Sequence, residues 1–144
     1  MTANRTYVDV SQARDTAAGA LEVVGDGEVH MLNMLRFRDV ADYAETPHLA
    51  PEKPISGREA YDLYLALCAP RMVGRGNEIV LQGRSGPFLI GPQDERWDMI
   101  LLVKWPSLKL LAQSPNDEDY KTRIAPHRTA ALADSRLLPI SAGI

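Results

Sequence analysis

Six residues carry side chains that could meet a small molecule: Asn33, Tyr64, Arg84, Trp97, Asp98 and His127. Asn and Tyr can orient a carbonyl or phenol oxygen, and a histidine near its ordinary pKa can move a proton. His127 and Tyr64 are the catalytic candidates; Asn33, Arg84, Trp97 and Asp98 are the ligand-binding ones. A cofactor-free monooxygenase, isomerase or cyclase needs little beyond an apolar cavity, one base and one hydrogen-bond donor. His127 follows Pro126 at a helix start. The positive end of the helix dipole disfavours an imidazolium there, so the ring should be neutral at neutral pH.

Each of these residues also has a structural reading. Asn33 could bridge strand and loop backbone. Tyr64 could be core, with its hydroxyl at the surface. Asp98 is expected to pair with Arg36 or Arg96. His127, beside Arg128, could cap backbone groups or be solvated, and Trp97 and Trp105 could be ordinary packing residues.

Other chemistries lack the spacing they need. His30, His48 and His127 fall on a strand, a loop and a helix start, and none has a His or Cys partner at ligand distance in sequence, so no metal is expected. Haem would require His127 as axial ligand. No Gly-rich loop joins a strand to a helix, which argues against a nucleotide phosphate site. Cofactors are therefore expected to be none. The single cysteine, Cys68, excludes an internal disulfide and sits among Leu65, Leu67 and Met72, the setting of a buried, inert thiol.

These residues must be positioned by elements the hydrophobic pattern announces. Val29 to Phe37 places Val29, Met31, Asn33, Leu35 and Phe37 on one face of a strand, and His30, Leu32, Met34 and Arg36 on the other. Both faces are largely apolar, which predicts a central strand. Trp97 to Trp105 has the same two-faced apolarity. Between them come a loop with three prolines in nine residues, Thr46 to Pro54, and a helix opened by the capping-box pair Ser56 and Glu59. Pro70 should kink or end that helix. Glu78 to Gly83 reads as a strand, with Pro87 to Ile90 as a continuation past a bulge. Short helical pieces follow Ser107, Asn116 or Asp117, and Pro126, and a last strand, Arg136 to Ile140, carries Pro139 and so belongs at a sheet edge. Residues 1–27 read as an extension with a short helix capped by Ser11, and residues 28–144 as one domain.

The order strand, helix, strand, strand, helix, strand is the α+β, ferredoxin-like βαββαβ pattern with an antiparallel four-stranded sheet. Helices on one face leave an apolar sheet face open. The simplest cover is the same face of a second copy about a two-fold axis.

The 144 residues and net charge of −3, without a Lys/Arg run, argue against nucleic acid as the main partner. No run approaches about 18 apolar residues, and the first residues lack the apolar stretch of a signal peptide. The expectation is a cytoplasmic protein with no membrane partner.

Several motifs together resemble a known family: Met31 to Arg38, Ser56 to Tyr61 with Tyr64, Gly91-Pro92 through Glu95 to Asp98, Val103 to Ser107, and His127 to Arg136. On these the chain is similar to a bacterial family of unknown function within the dimeric α+β-barrel superfamily. The resemblance implies a ferredoxin-like protomer, a homodimer formed sheet to sheet, and a pocket between sheet and helices that takes a small apolar or aromatic molecule. It implies no particular reaction, and whether the protein is an enzyme or a non-catalytic binding or accessory module stays open.

Overall fold

The computed structural model describes residues 13–113 and 116–141. Helix α1 spans Ala13–Val24, β1 Val29–Phe37, α2 Gly57–Arg75, β2 Glu78–Arg84, β3 Met99–Trp105, α3 Leu108–Ala112, α4 Ala125–Ala131 and β4 Leu132–Ser141. The fold is α+β, with a four-stranded antiparallel sheet in the order β2-β3-β1-β4 and four helices. As expected, β1 and β3 are central, and β4, with Pro139, is an edge strand. No helix among the described residues is long and apolar enough to cross a membrane.

One face of β1 and β3 builds the core. Leu35 is buried with Met99, Leu101 and Val103 under α2 and α4, and Val29 and Met31 continue the same face toward α1 and α3. The facing side of α2 supplies Ala60 and Tyr61, with Tyr64 and Met72 packed beside them. At the other end, Ala20, Leu21 and Val24 of α1 pack with Leu108 on Val29 and Met31. The N-terminal helix is thus held by an apolar contact, although Ser11 lies outside the described residues.

Helix α2 starts as the sequence indicates. The Ser56 hydroxyl accepts the Glu59 N–H, and the Glu59 carboxylate accepts the Ser56 N–H, both at 3.0 Å. These bonds hold the Glu59 carboxyl below its usual pKa. Gly57 sits against backbone. A Cβ there would lie 2.5 Å from the Ala131 carbonyl oxygen and 2.7 Å from the Arg38 nitrogen, so only glycine permits this approach.

Pro70 does not end the helix, which runs to Arg75 and stops on Gly76, a left-handed residue at φ +74°. Pro70 is exposed, while the turn after it is held from outside: Arg71 and Arg75 both pair with Asp117. Two strand boundaries also differ from expectation. Pro87 to Ile90 is loop, and the bulge falls between Ile79 and Leu81. β4 begins at Leu132, directly after α4, because Leu132 pairs with Phe37.

Among the described residues, no helix covers the other sheet face. Leu32, Met34, Ile100 and Leu102 lie half-buried at its centre, with Leu81 and Leu138 more than half exposed beside them. The pairs Lys104–Glu78 and Arg136–Asp134 bound this patch.

Candidate functional site

The ends of β1 and β2 and the approach to β3 meet the first turn of α2 around an open cleft of about 370 Å³. Its lining includes Phe37, Arg58, Arg84, Arg96, Trp97 and Asp98, with the segment Ser85–Pro87 along one side. Three of the six sequence candidates, Arg84, Trp97 and Asp98, therefore come together here.

Asp98 fixes the floor of the cleft by three bonds. Its Oδ2 accepts the Phe37 N–H at 2.8 Å, its own N–H donates to the Leu35 carbonyl at 2.7 Å, and its carbonyl accepts the Ser85 N–H at 3.1 Å. One residue thus joins β1 to the segment that leaves β2. The expected ion pair with Arg36 or Arg96 is replaced by the Phe37 N–H. The β1–β4 register shifts between Arg36 and Phe37, so this amide turns to the carboxylate instead.

Trp97 is buried. Its Nε1–H donates to Glu95 Oε2 at 3.0 Å, and the Arg136 guanidinium lies 4.8 Å from its ring centroid. Phe37 is stacked obliquely on Tyr61 at 5.6 Å, with the Arg58 guanidinium 5.8 Å from its centroid. The Phe37 ring is thus held by Tyr61 and Arg58, and the Trp97 ring by Glu95 and Arg136. Arg84 and Arg96 are exposed at the mouth.

The other three candidates lie elsewhere. Asn33 faces the helices, half-buried, and its Nδ2 donates to the Met31 and Leu101 carbonyls at 3.3 and 3.2 Å. It acts as a bridge between β1 and β3. Tyr64 belongs to the contact of α2 with the turn of residues 120–124: its hydroxyl meets that of Tyr120 at 2.7 Å, in the interior rather than at the surface. Burial pushes the Tyr64 phenol well above its ordinary pKa, and Tyr61 beside it up to about 12. Cys68 joins the same cluster, and burial raises its thiol too, as expected for an inert side chain.

His127 is buried, and its Nδ1 lies 2.7 Å from the Tyr43 hydroxyl. Burial lowers its pKa, which keeps the ring neutral. Tyr43 also lines a second, smaller groove of about 290 Å³, shared with Val40, Ala41, Pro51 and Ile55. Neither Asn33 nor His127 lines either hollow. Tyr43 escaped the sequence reading because it stands in a polar loop with no apolar period. Arg58 and Arg96 escaped it as candidates because lone arginines carry no spacing signal. Among the described residues, no three of His, Cys, Asp or Glu gather as a metal ion would need.

No family model and no curated protein matches the chain. Solved structures do. The crystal structure of RPA0582, a protein of unknown function from Rhodopseudomonas palustris and a structural genomics target, is 32% identical, with 90% of this chain and 93% of that one covered and a TM-score of 0.74. The methylated RPA0582 protein is 30% identical over 96% of both chains, with a TM-score of 0.77. At this identity, over nearly the full length of both, the chain belongs to the family of RPA0582.

Proposed function

We propose that this protein is a homodimeric ferredoxin-like module that binds a small aromatic or apolar molecule in the cleft of Arg84, Trp97 and Asp98. The observation that carries the reading is the pairing of two aromatic walls, Phe37 and Trp97, with polar groups at one open hollow. β1 and β2 are both antiparallel to the strand between them, β3, which supports the ferredoxin-like assignment. The apolar open face, with Leu102 and Leu32 at its centre, supports a sheet-to-sheet dimer.

Binding is favoured over catalysis by where the acid–base candidates stand. Tyr64 is engaged with Tyr120 and His127 with Tyr43, and neither touches the cleft. A catalytic reading attaches instead to Tyr43, which borders the second groove and is backed by His127.

Gly86 provides the test. It lines the cleft, has nothing within 4 Å of where a Cβ would stand, and has an unstrained φ. Gly86→Leu should fill the hollow without disturbing the fold. Calorimetry with small single-ring compounds should give binding to the natural protein and none to the variant. Equal binding to both would place the ligand elsewhere.

A further inference from the structure

We infer that the ligand of this cleft is an aromatic carboxylate, its carboxylate held by Arg84 and Arg96 and its ring by Phe37 and Trp97. The inference rests on the cleft being the binding site and adds the charge and class of what it takes.

The first argument is the use of carboxylates across the chain. Arg58, Arg71, Arg75, Arg123 and Arg136 each meet an aspartate. Arg36, Arg38, Arg84, Arg96 and Arg128 form no ion pair among the described residues, and of these Arg84 and Arg96 stand together on one hollow. The protein is acidic overall, with a net charge of −3, but the cleft is lined by three guanidinium groups and one carboxylate. That carboxylate, Asp98, already accepts the Phe37 N–H, and the nearby Glu95 accepts the Trp97 indole N–H. Both donors are neutral, so each carboxylate keeps its charge, and the lining still carries three guanidinium groups against one carboxylate.

The second argument is shape. A guanidinium is a planar fork that matches a carboxylate with two parallel hydrogen bonds. Of the remaining lining, Phe37, Trp97 and Pro87 are aromatic or apolar, and the third guanidinium, Arg58, already meets Asp62. A hollow of about 370 Å³ holds one ring with a short acidic arm. A small inorganic anion would satisfy the arginines and leave the aromatic side of the hollow unfilled.

The test compares phenylacetate, its neutral counterpart phenylacetamide, and inorganic phosphate by calorimetry at low ionic strength, on the natural protein and on the double variant Arg84→Gln/Arg96→Gln. Both arginines are exposed, so the variant should melt as the natural protein does. We expect phenylacetate to bind about tenfold or more tighter than phenylacetamide, and added salt and the double variant each to erase the difference. Equal affinity for acid and amide would overturn the inference while leaving the cleft reading intact. Binding by neither ring compound would remove the cleft reading and this inference with it. Phosphate binding as tightly as phenylacetate would mark a general anion site and overturn the aromatic assignment.

Discussion

The Asp98 carboxylate receives the backbone N–H of Phe37 at 2.8 Å, across 61 positions of sequence. This bond sets one aromatic wall of the cleft relative to the strand that leads from the other. Replacing Asp98 by Ala leaves that amide without its acceptor and should destabilise the fold by about 1–3 kcal/mol. Asp98→Asn keeps an acceptor oxygen and should lose less. Denaturant titration of both variants checks the order; an alanine variant as stable as the natural protein would contradict it.

Gly57 governs the other side of the cleft. Its N–H donates to the Arg38 carbonyl at 3.0 Å, which docks the start of α2, and thereby Arg58, against the end of β1. The atoms a methyl group would meet are backbone and cannot swing aside. Gly57→Ala should therefore cost about 1–3 kcal/mol or more, despite the better helix propensity of alanine. A thermal midpoint at or above that of the natural protein would refute the close approach.

His127 makes stability depend on pH. Burial lowers its folded pKa below the ordinary 6.5, so the unfolded chain takes up its proton first as pH falls. The stability of the neutral, buried ring is complete above pH 6.5 and is lost as pH drops from there through the folded value. His127→Gln should flatten this part of the stability–pH curve. Parallel curves for the two proteins would show that the ring titrates alike in both states.

The open sheet face should join two copies. Sedimentation at micromolar concentration should give twice the mass of the chain, and Leu102→Lys, which places a charge at the centre of the face, should give a folded monomer. A natural protein that sediments as a soluble monomer would remove the sheet-to-sheet arrangement.

The sheet was legible in the sequence because β1 and β3 carry their signal on both faces: Leu35 and Met99 inward, Met34 and Ile100 outward. The capping box of Ser56 and Glu59 was legible because it is local. The end of α2 was not, since the partner that holds the turn beyond Pro70 is Asp117, more than forty positions away. The same distance in sequence hid the Tyr43–His127 bond and the choice of Phe37 by Asp98. Arg84, Trp97 and Asp98 were found as separate polar or aromatic side chains near strand ends. That they share one hollow, and that Tyr64 and Asn33 turn into the interior, follows from strand register, which residue types alone do not set.

The central claim is that a small aromatic molecule occupies the cleft of Phe37 and Trp97. The two tryptophans stand at opposite ends of β3, and Trp105 packs between Val29 and Leu108 of the α1–α3 end, outside the cleft. In a heteronuclear NMR titration with phenylacetate, the Trp97 indole N–H and the backbone N–H groups of Phe37, Ser85 and Asp98 should shift together and saturate, while the Trp105 indole stays fixed. A Trp97 signal that does not move at millimolar ligand, or one that moves only in step with Trp105, would contradict the account.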